Sequence, residues 1–337
     1  MTDRRHFLLA LAATSALLSA PGFAAQKEVT IAYQDMLVPW RVAHAAGEIE
    51  KATGYKINFR QFGGGGDVIR ALASGQVHIG EAGSAPIAAG ISQGLPVELF
   101  WILDDINDAE ALVVRNGSGV ASLADLRGKK IGVPFTSTTH FHTLVALDHA
   151  KLNPNDVKIV NLRPPEVAAA WERGDIDATF IWEPVLSKVK AGGKQLITSG
   201  EISKQTGKST FDGIVVNRDW AKDNAEFVAQ FTKILAVADE RYRRDKARWT
   251  STSSEAAAIA KITGAKAEDV PAGLALYRFP SASEQASPTW LGGGKASGAA
   301  ASLAATAAFL KSQGTIANVL PDYSVGVNPK YAEKAAQ

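Results

Sequence analysis

The chain has no cysteine among its 337 residues. No disulfide can staple it, and thiolate catalysis, thiolate metal sites and lipid attachment through an N-terminal cysteine are all excluded. It also lacks an excess of either charge: 36 Lys and Arg face 34 Asp and Glu, a net charge of +2. No basic run is long enough to track phosphates, so nucleic acid is not an expected partner. There is no Gly-x-Ser-x-Gly elbow and no Gly-Lys-Ser/Thr phosphate loop. His140 and His142 would point apart on a helix, and no Glu or Cys completes a metal ligand set beside them. No cofactor, no metal and no catalytic group is expected.

One long apolar stretch is present, and it stands at the start. Arg4 and Arg5 precede the apolar run 7–20, and Pro21 to Ala25 supply a small-residue cleavage site. That order is the order of an export signal, read by either the Sec or the twin-arginine route. The apolar run is short for a membrane span, and no second one follows. The expected destination is the periplasm, with the mature protein free and monomeric. Hydrophobic residues make up 46% and charged residues 21%, enough for a sizeable core on a soluble surface.

The mature sequence carries one rhythm twice. VTIAYQ (29–34), KINFRQF (56–62) and VHIGEAG (77–83) read as strands separated by helical stretches. KIGVPF (130–135), VKIVNL (157–162) and IDATFIW (176–182) repeat the pattern. The junctions match as well, ASGQVHIG (73–80) against WERGDIDATF (171–180). Strands alternating with helices predict α/β lobes built on parallel sheets. Two copies predict two lobes and a cleft between them. EALVVR (110–115) and FDGIVVNR (211–218) are strands placed to carry the chain out of the first lobe and back. The expected division is a leader at 1–25, a first lobe at 26–115 and 212–337, and a second lobe at 116–211. Residues 200–210 read as a polar loop, and the Gly63 to Gly66 run as a flexible start to a helix.

Ligands of such sheets bind where strands end in loops. That rule selects Tyr33, Gln34 and Asp35, the segment Gly83 to Pro86, the segment Phe135 to His140, and Trp182 to Pro184. Ser84 and Thr138–Thr139 stand at helix starts, where free N–H groups and hydroxyls would clamp an anion. The plain alternative is that these hydroxyls cap their helices. Glu110 and Asp212 open the two crossing strands and suit a cationic amine. They read equally as ordinary acids at strand ends. Tyr33 and Trp182 could enclose the ligand with aromatic faces, and Trp182 also reads as core.

These residues carry a resemblance. Segments 29–34, 70–88, 110–114, 133–147, 160–184 and 211–216 resemble the taurine-binding proteins of bacterial ABC importers. That group belongs to the periplasmic binding proteins for sulfonates, nitrate and related ligands. The resemblance covers nearly the whole mature chain. VPFTSTTH (133–140) and PPEVAAAWERGDID (164–177) are its most specific stretches. It implies a type II-like periplasmic binding fold, two α/β lobes joined by two crossing segments. It further implies a sulfonate at Ser84–Ala85 and Thr138–Thr139–His140, an amine at Asp212 or Glu110, and a pocket lined by Gln34 and Trp182. The partners implied are taurine or a related small sulfonate and the subunits of an inner-membrane permease. The chain departs from the family pattern at Ala85, where a second Ser is usual, and at Glu183, where a small apolar residue is usual. Glu183 is expected to point away from a sulfonate or to alter selectivity. Two other readings share these residues: a binding protein for an amine-free alkanesulfonate, and an enzyme of the thiamine-pyrimidine-synthase kind.

Overall fold

The computed structural model describes residues 27–337. The expected leader lies outside the described residues. Ten strands build two separate sheets. They are β1 (Glu28–Tyr33), β2 (Lys56–Gln61), β3 (Ile79–Gly83), β4 (Val97–Asp105), β5 (Glu110–Arg115), β6 (Lys130–Val133), β7 (Lys158–Asn161), β8 (Ala178–Trp182), β9 (Gly193–Thr198) and β10 (Phe211–Asn217). The first sheet runs β2-β1-β3-β10-β4 and the second β7-β6-β8-β5-β9. The orders are identical once the repeat is allowed for. Each sheet has a parallel trio, with one antiparallel strand inserted beside it.

The inserted strands are the crossings. β5 follows β4 of the first sheet but pairs with β8 and β9 of the second. β10 follows β9 and returns to pair with β3 and β4. The chain therefore leaves the first sheet before Glu110, not after Arg115. The run ALVV is buried on both faces, and only the interior of the second sheet covers it.

Antiparallel insertion decides where the cleft acids go. Glu110 at the start of β5 pairs with Trp182 at the end of β8. Asp212 near the start of β10 pairs with Gly83 at the end of β3. An antiparallel strand begins where its parallel neighbour ends. Both acids are thus delivered to the carboxyl ends of the parallel strands, beside the helix starts.

The first lobe holds the larger core. Val29, Ile31, Ile79, Leu99, Trp101 and Val215 are fully buried in it. The helix Ala225–Asp245 lays Phe227, Phe231 and Leu235 against that lobe at i, i+4 spacing. Each buried Phe contributes about 3 kcal/mol of transfer free energy. The second core gathers Phe141, Leu144, Val145, Phe180 and Ile197. The helix Gly298–Ser312 packs on the helix Ser84–Ser92 and sends Phe309 edge-on to Phe141 at 5.3 Å. The C-terminal segment therefore touches both lobes, in addition to the two crossing strands.

One local expectation is corrected. Residues 199–206 form a helix rather than a loop, because Thr198 and Glu201 make a reciprocal capping box. The helix after Trp40 breaks at Gly47, whose φ of 63° ends Arg41–Ala46 before Glu48–Thr53 begins.

Candidate functional site

A cavity lies between the two sheets. Its walls are Gln34, Met36, Gly65, Gly83, Pro86, Glu110, Ser137, Thr138, Trp182, Asp212 and Tyr277. It encloses about 300 Å³ of unfilled space counting its mouth. The two lobes meet across it, with Gly83 of the first against Thr138 of the second. Among the described residues, no Lys, Arg or His stands in the wall.

Five expected side chains meet here: Gln34, Glu110, Thr138, Trp182 and Asp212. Five do not. Tyr33 turns to the other side of β1, edge-on to His44 at 5.1 Å and under the Arg41 guanidinium. Strand alternation sends it away from Gln34, its neighbour in sequence. Ser84 accepts a hydrogen bond from the Phe211 N–H at 3.4 Å, so its hydroxyl ties the helix to β10. Ala85 packs with the core of the second lobe. Thr139 shares a hydrogen bond with Ser137, Oγ1 to Oγ, at 2.8 Å. His140 stacks on Phe135 at 4.6 Å, and burial lowers its pKa to about 4, so the ring is neutral at neutral pH. His142 makes hydrogen bonds to Ser199 and to the Lys208 carbonyl and stacks on Phe180. The two rings do not converge.

Three helix starts converge on the cavity where the sequence suggested two. Gly65 opens the helix Gly65–Ala73, Gly83 caps Ser84–Ser92, and Ser137 caps Thr138–His149. Neither Gly64 nor Gly83 offers a side-chain cap. The first-turn N–H groups of those two helices are left to whatever enters. At the third, Ser137 Oγ accepts from the His140 N–H at 3.0 Å, and Thr138 stands at the wall. Together these ends make a field suited to an anion without any formal positive charge.

The acids are unequal. Glu110 accepts from Thr138 Oγ1 at one oxygen and from Ser199 Oγ at 2.9 Å at the other. Among the described residues, no hydroxyl or cation stands on Asp212. Burial, then the charges of Glu110 and Glu81, push its pKa well above the ordinary carboxylate range. Behind it lies Asp104 of β4, its cross-strand partner. Asp104 is fully buried, and burial, then the charge of Asp212, drives its pKa well up. Tyr277, buried at the same corner, is also raised by burial and then by Asp104 and Asp212.

The wall is braced from behind. Arg41 is wholly buried and binds Glu81 at 2.6 Å and the Gln34 carbonyl at 2.7 Å. Glu81 also accepts from Trp40 Nε1 and from the Gln34 N–H, each at 2.8 Å. That network fixes the Gln34 backbone at the end of β1. Glu183 points away from the cavity, accepting from the N–H and hydroxyl of Ser187.

Closure rests on backbone without side chains. A Cβ at Gly83 would come within 2.5 Å of Thr138 Cγ2 in the other lobe. One at Gly66 would stand 2.9 Å from Thr136 Cβ and 3.2 Å from its carbonyl oxygen. The glycine run is a bearing surface, which its reading as a flexible helix start missed. Across the same seam Trp182 Nε1 donates to Asp35 Oδ1 at 2.8 Å, and Arg163 lies 3.5 Å from Asp67.

Gly65, Met36, Tyr277 and Asp104 were missed as site residues. The glycine run opening a helix after a strand was a usable signal, and so was the acid pair Asp104–Asp105 ending an apolar strand. Met36 and Tyr277 gave none.

Two sheets of the same order, crossed by two exchanged strands and closed on a small cavity, define a periplasmic-binding-protein fold. The alkanesulfonate-binding protein SsuA of Xanthomonas axonopodis pv. citri, solved bound to MOPS, superposes with a TM-score of 0.71 at 24% identity. It covers 87% of this chain and 96% of its own. By sequence the chain belongs to the NMT1/THI5-like family, whose model matches residues 51–240. The taurine-binding periplasmic protein of Escherichia coli is 35% identical over 96% of this chain and all of its own length. A putative aliphatic sulfonates-binding protein of Bacillus subtilis is 30% identical over 66% of this chain and 68% of its own length. These relatives are named as binding proteins, not enzymes.

Proposed function

We propose that this protein is a periplasmic solute-binding component of an ABC importer and that its ligand is taurine or a close amino-sulfonate. The observation that carries the ligand class is the pairing of two opposite chemistries in one cavity. Helix starts without side-chain caps suit a sulfonate. Asp212, with no cation against it, suits an ammonium. A zwitterion with these ends a few bonds apart matches both.

The residues divide the work. First-turn N–H groups at Gly65, Ser84 and Ala85, with the backbone N–H groups of Thr138 and Thr139, surround the sulfonate. Asp212 takes the ammonium, and Trp182, Met36 and Tyr277 cover the carbons between. Two of the helix starts belong to the first lobe and one to the second, so the anion binds the closed form better than the open one. Closure follows from that difference in affinity. The closed surface is then what a permease reads. An amine-free alkanesulfonate would leave Asp212 facing it with no compensating charge, which disfavours that alternative.

Calorimetric titration with taurine, ethanesulfonate and nitrate tests the reading. Taurine should bind most tightly, by at least about tenfold over ethanesulfonate, or about 1.4 kcal/mol. Equal binding of the two would sink the amine site.

A further inference from the structure

Asp104 stands one strand behind the cavity wall. It faces Asp212 across the β4–β10 ladder, and its side chain is 0% exposed while Asp212 is 5% exposed. Among the described residues, neither carboxylate oxygen of Asp104 has a donor. The surrounding groups make this worse. Asp105 lies beside it on β4 and is 3.7 Å from Arg278, Glu110 comes from β5, and Asp239 comes from the helix Ala225–Asp245. Tyr277 comes from the segment after the helix Val270–Leu274, and Glu81 of β3, paired with Arg41, acts on Asp212. Every charge that bears on Asp104 is an acid.

A buried carboxylate with no donor and only negative neighbours does not stay ionised. Two adjacent carboxyls resolve the conflict by sharing one proton. A proton on Asp104 supplies the missing bond, because the acid O–H can donate to Asp212. The proton belongs with the more buried partner, since Asp212 keeps access to the cleft.

We propose that Asp104 is a neutral carboxylic acid that donates to Asp212, fixing the charge of the cleft pair at one and thereby setting selectivity for a monoamine. It is a positioning and specificity residue, not a ligand contact. This rests on the reading that Asp212 meets an ammonium. The unprotonated pair would carry two charges against one ammonium, and the excess would oppose the sulfonate end. Asp212 with a fixed donor presents one oriented oxygen instead.

The test compares Asp104→Asn with Asp104→Ala by calorimetry at neutral pH, using taurine and ethanesulfonate. The Asn amide keeps a donor and no charge, so taurine affinity should stay within about threefold of wild type. Asp104→Ala should weaken taurine by about tenfold or more and ethanesulfonate much less. Equal loss of taurine in both variants would show that the charge acts, and no loss in either would show no role; each overturns the proposal. Infrared spectra of Asp239→Asn protein, which removes another fully buried acid whose pKa burial raises, give a readout that needs no Asp104 variant. A protonated carboxyl band at neutral pH is expected, and its absence overturns the proposal. If wild type fails to bind taurine while the band is present, the ligand reading fails and the shared proton stands.

Discussion

Glu110 and Asp212 occupy matching positions in the two sheets, at the start of an inserted antiparallel strand beside the end of a parallel one. Their surroundings differ. Two hydroxyls, from Thr138 and Ser199, saturate Glu110 inside its own lobe. Asp212 meets only another acid. A repeated fold therefore does not repeat its electrostatics. One acid has become a fixture that holds Thr138 at the wall, while the other keeps an unmet need for a cation.

Breaking that contrast should give the largest effect. Asp212→Asn should weaken taurine by about 2 to 4 kcal/mol, roughly thirtyfold to a thousandfold, and leave ethanesulfonate unchanged or tighter. Glu110→Gln should weaken both ligands alike, by about tenfold, because it releases Thr138 rather than a charge on the ligand. Titration of each variant with both ligands separates the two roles, and a selective loss of taurine in Glu110→Gln would reverse them.

Gly66→Ala addresses closure instead of charge. Its Cβ meets the Thr136 backbone oxygen as well as the side chain, so the lobes cannot seat without a shift. Both ligands should lose about 1 to 3 kcal/mol together. Small-angle scattering with saturating taurine should show a more open particle than wild type; identical profiles would count against the bearing role.

The seam should also respond to pH. Asp35 is held at about 6 by burial, against an ordinary 3.8, while Trp182 donates to it across the lobes. A raised acid favours the closed state while protonated. That contribution is whole below its ordinary pKa and is lost as pH rises through about 6. Closure should therefore weaken between acid and neutral pH, by at most about 3 kcal/mol, the limit in which parting the lobes returns Asp35 to water. Asp35→Asn should flatten the fall in taurine affinity over that window, and an unchanged slope would remove Asp35 as its source. The smallest effect expected is Ser137→Ala. Losing the cap on Thr138–His149 should cost about 1 kcal/mol of unfolding free energy, read by denaturant titration.

Much of this was legible in order of residues. Alternation of period two and helical stretches between fixed the lobes, because each β-α-β unit is a local pattern. The crossing acids and Thr138 were readable because strand ends and helix starts carry chemical signatures. Tyr33 was misplaced because alternation fixes which neighbours share a face, not which face meets the cleft. Residues 200–210 were read as a loop because polar composition hid a capping box, and the helix Ser199–Thr206 is what brings Ser199 to Glu110. Asp104 looked like the end of a buried strand until its cross-strand partner was known.

The sequence by itself determined the repeat, the exchange strands, the absence of thiol chemistry and the pool of candidate groups. These follow from short-range periodicity and residue chemistry. Tertiary structure alone decided which acid is satisfied, which glycines bear on the other lobe and which helix ends share one cavity. Those outcomes depend on strand pairing and lobe contact between residues far apart in the chain, where desolvation and neighbouring charge, not identity, set what a side chain does.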